Sequence, residues 1–365
     1  MSTQKLQVVM GKNNSYGIRV GTKLLGSMGV HLREATRATK AVIITDSNVG
    51  PLYLDEVKNS LVKSDFEAFD ITIPAGEKSK CIEVATELWE ALSMLRIDRS
   101  DVVIGLGGGV VGDVAAFVAS TYMRGIDCVQ IPTSLLAMVD SSIGGKTAVN
   151  LAQAKNLVGT IKQPIYVAVD LDTLATLPAR EWENGFAEIA KSALVDSNTF
   201  SHWLFENAEG LVAHDKTVVQ KAIVSSLTFK ARVVAADELE TGQRECLNYG
   251  HTLAHALEAL SDYTVSHGQA VFEGMRFAAR LGVEAAAVSD RLVKAQDDLL
   301  AKLGFKPVHV SCSADQIFTQ LFKDKKARNG QMRFVFVTEP GNWKVVAVDP
   351  DLVKIYLILW EQAKA

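Results

Sequence analysis

The first half of the chain alternates short, wholly apolar runs with amphipathic segments. Several runs would place apolar side chains on both faces of an extended strand, as strands covered by helices on both sides do. The runs cover residues 6–10, 41–45, 102–106, 128–131 and 166–169. Between two of them, residues 79–95 repeat apolar side chains at helical spacing. This alternation predicts a Rossmann-like α/β domain with a largely parallel sheet.

The second half changes character near residues 175–180. From Arg180 to about Leu303 the chain is rich in Ala, Leu, Glu and Lys, contains no proline and follows the helical period. Two later β-rich runs, 333–337 and 343–348, flank a turn and predict a hairpin, and residues 352–360 predict a final helix. We therefore predict an α/β domain over residues 1–176 and a mainly α-helical C-terminal domain over residues 177–365.

Composition and charge exclude several classes of protein. The chain has 365 residues, 48% hydrophobic and 22% charged, which is enough apolar material for two globular domains. A formal net charge of −4 argues against nucleic acid or an anionic membrane as partner. Four scattered cysteines without Cys-x-x-Cys spacing indicate neither a disulfide framework nor a thiolate zinc site. Without a signal-peptide core or a membrane-length apolar run, we expect a cytoplasmic enzyme.

Three of the seven histidines, His251, His255 and His267, lie within seventeen residues. The spacing of the first two places both rings on one helix face. A carboxylate from a second helix, such as Glu188 in Glu188-Ile-Ala-Lys191, would complete a two-histidine, one-carboxylate set. Such a set leaves a coordination position open, as catalytic metal sites do, whereas structural zinc sites are closed by four protein ligands. The alternative is that these histidines cap or pack helices.

A glycine-rich turn follows one of the predicted strands. Gly107, Gly109 and Gly112 match Gly-x-Gly-x-x-Gly, which lets backbone N–H groups approach a pyrophosphate at a helix N-terminus. The acidic residue for ribose should follow about twenty residues later, but Asp127 precedes its strand, and Asp46 instead closes an earlier one. The pattern indicates either a nucleotide site of unusual order or a tight turn in a buried sheet.

A second glycine-containing segment presents a cation. In Asp140-Ser-Ser-Ile-Gly-Gly-Lys146, two glycines hold a lysine near an aspartate. The segment is not a P-loop, because the first glycine of Gly-x-x-x-x-Gly-Lys is missing and no predicted strand leads into it. With Arg124 it suits an anionic ligand, although a solvated surface accounts for most lysines, Lys323 among them.

Eight motifs, taken in order, resemble the 3-dehydroquinate synthase family of sugar-phosphate cyclases over most of the chain. The motifs are Gly107-Gly-Gly-Val-Val-Gly-Asp113, Thr121-Tyr-Met-Arg-Gly125, Pro132-Thr-Ser-Leu-Leu136, Val139-Asp-Ser-Ser-Ile-Gly-Gly-Lys-Thr-Ala-Val-Asn150, Lys155-Asn156, Ala187-Glu-Ile-Ala-Lys191, Leu247-Asn-Tyr-Gly-His-Thr252 and Lys323-Asp-Lys-Lys326. Each alone is weak, but the ordered set is specific.

The resemblance implies a dehydroquinate synthase-like fold, NAD in the N-terminal domain and a divalent metal, zinc or cobalt, in the C-terminal one. The implied metal ligands are Glu188, His251 and His267. Implied nucleotide contacts are Asp46, Asn48, Ala75, Gly76, Glu77, Lys78, Ser79, Lys80, Gly108, Gly109, Val110, Val111, Gly112, Asp113, Thr133, Ser134, Lys146, Lys155, Thr173, Leu174, Ala175 and Thr176. Implied catalytic and substrate contacts are Arg124, Asp140, Lys146, Asn156, Lys191, Lys230, Arg244, Asn248, His255 and the lysines of residues 324–326.

The implied reaction converts 3-deoxy-D-arabino-heptulosonate 7-phosphate to 3-dehydroquinate and phosphate, in the shikimate pathway to aromatic amino acids. NAD⁺ would oxidise a ring hydroxyl polarised by the metal, phosphate would leave by β-elimination, NADH would return the hydride, and an intramolecular aldol step would close the carbocycle. Cations would hold the phosphate and carboxylate, and a neutral His255 would move protons. We also expect a homodimer.

Several related activities remain alternatives. Cyclases whose substrates lack a carboxylate typically replace the residues equivalent to Lys230, Arg244 and Asn248, which this chain keeps. Aminodehydroquinate synthases keep most of them and stay open. Metal-dependent polyol dehydrogenases lack the 139–146 motif and release NADH, and the complete metal set argues against a non-catalytic NAD-binding regulator.

Three positions depart from the family pattern. Gln269 stands where glutamate usually follows His-Gly, Met138 where glutamine is common, and Ser192 where tyrosine or threonine is common. None of them removes a predicted metal ligand. We expect Gln269 to change the support of His267 and with it the affinity for metal.

Overall fold

The computed structural model describes residues 3–9, 15–151, 154–261, 264–308, 310–323 and 332–363. The chain divides into two compact units. The first holds residues 1–178 and 230–239, and the second holds residues 179–229 and 240–365. A boundary after residue 176 stays a prediction, since the first unit also takes residues from the helical half.

The first unit contains one large β-sheet and a separate β-hairpin. Its strands are β1 (Gln4–Val8), β2 (Tyr16–Gly21), β3 (Lys40–Asp46), β4 (Glu67–Ile73), β5 (Val102–Gly107), β6 (Asp127–Pro132), β7 (Lys146–Leu151), β8 (Ala154–Ile161) and β9 (Tyr166–Asp170). Among the described residues, seven strands form one sheet in the order β1-β2-β9-β6-β5-β3-β4, and β7 pairs with β8. Only the β1–β2 pair of that sheet is antiparallel. The predicted largely parallel sheet is confirmed.

Helices cover both faces of this sheet. They are α1 (Met28–Ala35), α2 (Gly50–Val62), α3 (Ile82–Met94) and α4 (Gly109–Thr121). In β3, Val42 and Ile44 pack in a core with α3 and α4, while Ala41 and Ile43 pack in another with α1 and α2. Successive side chains of a strand point to opposite faces, so a strand buried on both sides reads as a continuous apolar run.

Two of the predicted elements are displaced in the structure. The helix predicted at residues 79–95 is α3, which follows a short 3₁₀ turn at Glu77–Ser79. The strand predicted at residues 6–10 is β1, two residues earlier, and Met10 lies outside the described residues. Strands β2, β4, β7 and β8 were not predicted, and β2 and β4 lack the continuous apolar runs from which the other strands of the sheet were predicted.

The second unit is mainly helical, as predicted. Its helices are α5 (Ala179–Asp196), α6 (Asn198–Val212), α7 (Lys216–Ala236), whose last residues belong to the first unit, α8 (His251–Leu260), α9 (His267–Ala286), α10 (Asp290–Lys302), α11 (Ala314–Lys323) and α12 (Pro350–Gln362). The predicted hairpin is β10 (Met332–Glu339) and β11 (Asn342–Val348), paired antiparallel. Across the described ranges, helices with the length and apolar character to cross a membrane are absent.

Candidate active site

Three predicted ligands lie together in the helical unit. Glu188 projects from α5, and His251 and His267 are the first residues of α8 and α9. One ligand atom from each lies within 4.8 Å of the others. Glu188 Oε1 is 3.1 Å from His267 Nε2 and 3.5 Å from His251 Nε2. The Glu188 carboxylate is buried, and the fold brings these three predicted ligands together.

A glycine beside His267 allows this convergence. A Cβ on Gly268 would lie 2.5 Å from Asn184 Cα, closer than real Cβ atoms approach. The Gly268 N–H donates to Asn184 Oδ1 at 2.8 Å. Asn184 lies one helical turn before Glu188 on α5. The hydrogen bond from Gly268 to Asn184 therefore holds the neighbouring His267 close to the Glu188 carboxylate. A larger residue at 268 would push the start of α9 away from α5.

A second glycine sets the start of α8. Gly250 has a φ of 80°, in the left-handed region that glycine adopts without penalty. Its carbonyl oxygen would lie 1.8 Å from a Cβ placed on Gly274 of α9. The backbones of α8 and α9 therefore meet at two glycines, directly before His251.

The backbone fixes the tautomer of His251. Its Nδ1–H donates to the Tyr249 carbonyl oxygen at 3.2 Å, because a carbonyl can only accept. The lone pair of Nε2 therefore faces Glu188. Burial and the positive charge of Lys191 lower the pKa of His251 to about 4, so the ring is neutral near pH 7. A neutral imidazole held by a backbone carbonyl is the form that coordinates a metal.

Lys191 holds the carboxylate in its charged form. Burial alone would raise the pKa of Glu188, but the Lys191 ammonium and the hydrogen bond from His267 outweigh it and hold that pKa well below its usual range. Lys191 Nζ forms an ion pair with Glu188 Oε2, and its side chain is 2% exposed. The site therefore presents a permanent negative charge beside two imidazoles.

A second carboxylate, Glu258, lies beside His267, and a third imidazole, His255, lies beside His251. Glu258 Oε1 lies 3.5 Å from His267 Nδ1. Burial acts to lower the pKa of His267, but Glu188 and Glu258 outweigh it and raise that pKa to about 10. His255 is exposed, and its ring centroid lies 5.5 Å from that of His251.

Gln269 contacts the start of its own helix, whereas the sequence suggested a contact with His267. The Gln269 N–H donates to Ser266 Oγ at 3.3 Å, and Gln269 Oε1 accepts from the Ser266 N–H at 3.5 Å. This reciprocal capping box begins α9. Gln269 thus supports the helix on which His267 lies, and the carboxylate near the ring itself comes from Glu258.

The donor set fits a divalent metal. One carboxylate and two imidazoles supply three ligands of the kind that catalytic zinc sites use, with a further position left for water or substrate. The neutral His251 and the ionised Glu188 are already in the protonation states that coordination requires, whereas His267, with its pKa raised to about 10, would release a proton when a metal binds.

Most predicted nucleotide contacts lie after the carboxyl ends of parallel strands. Asp46 ends β3 and Asn48 follows it, residues 75–80 follow β4, residues 108–113 follow β5, Thr133 and Ser134 follow β6, and Thr173 to Thr176 follow β9. The carboxyl ends of parallel strands meet at one edge of a sheet, where α/β proteins bind ligands. Lys146 begins β7 and Lys155 lies in β8.

The turn between β5 and α4 is also tightly packed. A Cβ on Gly112 would lie 2.8 Å from Gln130 Oε1, and one on Gly107 would lie 2.7 Å from Val111. Gly108 is the N-cap of α4, so the first N–H groups of that helix have no partner in the preceding turn. The same segment can therefore be both a tightly packed turn and a helix N-terminus open to a phosphate, the two alternatives that the sequence left open.

Within the first unit, a network of hydrogen bonds joins residues predicted to contact the nucleotide to a residue predicted to contact the substrate. The buried Lys80 donates to the Asp113 carboxylate and to Asn156 Oδ1, the latter at 2.5 Å. Burial raises the pKa of Asp113, against the effect of the Lys80 charge. Asn150 Oδ1 accepts from the Asn156 N–H at 3.0 Å, and Asn150 Nδ2 donates to Glu77 Oε1 at 2.8 Å. Asn150 thus joins two predicted contacts.

A second polar contact forms in the same unit. Lys230 Nζ donates to the Asp140 carbonyl oxygen at 2.6 Å and to its Oδ1 at 2.7 Å. Asp140 lies in a single π-helical turn, Ala137–Ser141, a distortion that recurs at functional sites. Both residues were predicted substrate contacts.

The remaining predicted substrate residues lie in different settings. Arg124 is exposed in a left-handed turn with a φ of 64°, and Lys146 is exposed. Arg244 is only 2% exposed, so it is not a surface arginine. Asn248 Nδ2 donates to Glu240 Oε1 at 2.8 Å. The lysines of residues 324–326 lie outside the described residues.

Sequence reasoning missed Glu258, Asn150 and Glu240. Glu258 follows His251 by seven residues, which is two helical turns, and that spacing puts it on the same face as both helical histidines. Asn150 closes one of the quoted motifs without any chemical feature that marks it. Glu240 could be suspected only from its nearness to Arg244 in the chain.

Comparison with known proteins decides the family. Residues 70–184 match the model of the 3-dehydroquinate synthase N-terminal region, and residues 185–327 match that of the C-terminal region. The chain belongs to the 3-dehydroquinate synthase family. The 3-dehydroquinate synthase of Desulforamulus reducens is 41% identical over 339 residues, which cover 92% of this chain and 94% of the relative.

Solved structures of other cyclases share the fold. A 2-deoxy-scyllo-inosose synthase complexed with carbaglucose-6-phosphate, NAD⁺ and Co²⁺ is 24% identical, with a TM-score of 0.90 over 98% of this chain and 100% of that chain. A 2-epi-5-epi-valiolone synthase from Streptomyces hygroscopicus subsp. jinggangensis, with NAD⁺ and Zn²⁺ bound, is 27% identical, with a TM-score of 0.86 over the same shares. The predicted dehydroquinate synthase-like fold is confirmed.

Proposed function

We propose that the protein catalyses the 3-dehydroquinate synthase reaction, from 3-deoxy-D-arabino-heptulosonate 7-phosphate to 3-dehydroquinate and phosphate. The single observation that carries the proposal is the cluster of the buried Glu188 with the half-buried His251 and His267, with Lys191 beside it, in a chain of this family. A structural role for these histidines explains poorly why a buried carboxylate and a buried ammonium accompany them, since burying charges is costly.

NAD and a divalent metal are part of the proposal. The NAD⁺ and Zn²⁺ bound by the 27% identical valiolone synthase support both. When bound, NAD supplies a temporary acceptor for one hydride, and the metal supplies a Lewis acid. In this chain, Glu188, His251 and His267 would hold the metal, and the loops after β3, β4, β5, β6 and β9 would hold the nucleotide.

The other residues have roles that follow from their chemistry. Lys191 keeps Glu188 ionised, so the metal set carries the negative charge that a divalent cation needs. His255 is exposed next to His251, and its imidazole is a group of the kind that transfers protons in general acid–base catalysis. Asp140 fixes the position of the Lys230 ammonium through two hydrogen bonds.

Arg244 supports the choice of a substrate with a carboxylate. Its guanidinium stays charged when buried and can hold a carboxylate or a phosphate through two parallel hydrogen bonds. Cyclases whose substrates lack a carboxylate need cations for the phosphate alone. If Arg244 holds the carboxylate, it separates the proposed activity from those of the structurally similar inosose and valiolone synthases.

The test compares two substrates and two variants. The purified protein, supplied with NAD⁺ and Zn²⁺, should release phosphate from the heptulosonate phosphate and form dehydroquinate, but should turn over a heptulose phosphate without the carboxylate poorly. Arg244→Met should lower kcat/KM for the first substrate at least about tenfold, since a charge-assisted hydrogen bond is lost. The exposed Arg291 offers a matched control, Arg291→Met, that should leave kcat/KM unchanged. Equal turnover of both substrates by the unaltered protein would contradict the proposal.

A further inference from the structure

We propose that Glu258 is the residue that orients His267 for metal binding. The inference rests on the proposed metal site and goes beyond it by assigning a residue outside the ligand set. Glu258 Oε1 lies 3.5 Å from His267 Nδ1, on the ring edge opposite Nε2, which lies 3.1 Å from Glu188. Two carboxylates thus face the two nitrogens of one imidazole.

The fold holds Glu258 in this position. Residues 251, 255 and 258 follow the i, i+4, i+7 spacing of one helix face, and all three belong to α8. The Glu258 side chain is only 13% exposed, although carboxylates at helix surfaces are normally solvated. The α8 and α9 backbones meet at Gly250 and Gly274, which keeps this face of α8 beside the start of α9.

A carboxylate at Nδ1 has a defined chemical effect. It favours the tautomer with the proton on Nδ1, which leaves the Nε2 lone pair for a metal. It also resists rotation of the ring and makes the imidazole a more basic ligand. His251 obtains the same control from the Tyr249 carbonyl, so each histidine of the set has one acceptor behind it.

Gln269 is the competing choice for this role. It lies two residues after His267, where a family glutamate is common. Its amide, however, closes the capping box with Ser266, so its contacts are with the backbone of the helix start. Replacing Gln269 should therefore change the stability of α9, and replacing Glu258 should change the binding of metal.

The experiment measures metal affinity in three variants of the full chain. The dissociation constants for Zn²⁺ and Co²⁺ are determined by competition with a chromophoric chelator, and the visible spectrum of the Co²⁺ form reports the ligand field. Glu258→Leu should weaken binding by about 10–100-fold, the usual cost of losing the partner of a ligating histidine. Glu258→Gln, which keeps an acceptor oxygen without its charge, should weaken it less. Gln269→Ala should lower Tm and leave the metal affinity unchanged.

The outcomes separate this inference from the proposed function. Unchanged Zn²⁺ and Co²⁺ affinity in both Glu258 variants would overturn the role of Glu258, as would an equal loss in Gln269→Ala. Glu258→Gln is isosteric, so it decides the question even if Glu258→Leu does not fold. An unaltered protein that binds the metals but makes no dehydroquinate would contradict the proposed activity alone, and one that binds neither metal would overturn both.

Discussion

The two units build their candidate sites from different parts of the chain. In the helical unit, Glu188, His251 and His267 are side chains from three helices that converge in the interior. In the sheet unit, the predicted nucleotide contacts are spread over turns after strand ends and the first N–H groups of α4, and they combine backbone groups with polar side chains. Three side chains would make the first site, and many contacts from backbone and side chains would make the second.

This difference determines how each site tolerates change. A metal ligand contributes one bond that no neighbour can replace, so its loss removes the ligand set. A nucleotide held by many backbone groups loses only a fraction of its contacts when one side chain is removed. We therefore expect single substitutions to have large effects in the helical unit and small effects in the sheet unit.

The largest effect is expected for His251→Ala. This variant removes one of three metal ligands, so metal content should fall from about one ion per chain to nearly none. Turnover should fall by more than the about 10–100-fold that loss of a mere supporting partner costs. Elemental analysis and phosphate release measure the two quantities, and NAD⁺ affinity, measured by calorimetry, should not change.

His202→Ala is the matched control, since His202 is exposed on α6. It should keep both metal and activity. Full metal retention in His251→Ala would contradict the proposed difference between the two sites, because metal binding in the helical unit would then not depend on single side chains.

The smallest effect is expected for Asn150→Ala. The change removes hydrogen bonds to the Asn156 N–H and to Glu77, each worth about 0.5–1.5 kcal/mol. The Asn156 backbone, with a φ of 54°, should lose part of its support, and NAD⁺ affinity should fall by a few-fold at most. Calorimetric NAD⁺ titration measures this, and metal content should stay at the unaltered level.

Asn59→Ala, at an exposed position of α2, is the matched control for that variant and should leave NAD⁺ affinity unchanged. If Asn150→Ala abolished NAD⁺ binding, the sheet-unit site would depend on single side chains as strongly as the metal cluster does.

The sequence revealed residues whose chemistry is specific to their type. The ordered motifs that resemble the family implied Glu188, His251 and His267 as the metal set, and continuous apolar runs predicted the parallel strands. Glu258 escaped because its distance from His267 depends on the close approach of α8 and α9 at Gly250 and Gly274, which no local pattern records. Asn150 escaped because its role comes from contacts with Glu77 and Asn156, which are brought together only by the fold.

The secondary structure also contains features that the local sequence pattern did not reveal. Strand β4 forms an edge of the sheet and stays partly solvated, so it lacks the continuous apolar run from which the central strands were predicted. The capping box between Gln269 and Ser266 was not foreseen, because sequence adjacency to His267 cannot distinguish a helix cap from a contact with the ring.

The most direct test of the proposed reaction follows NAD during turnover. Protein stripped of metal and nucleotide is supplied with Zn²⁺ and a substoichiometric amount of NAD⁺, and phosphate release and NADH absorbance are recorded together with the heptulosonate phosphate as substrate. We predict many phosphates released per NAD⁺, no net NADH, and no turnover when either NAD⁺ or Zn²⁺ is omitted. NADH that accumulates in proportion to the substrate consumed would contradict the account and favour a dehydrogenase.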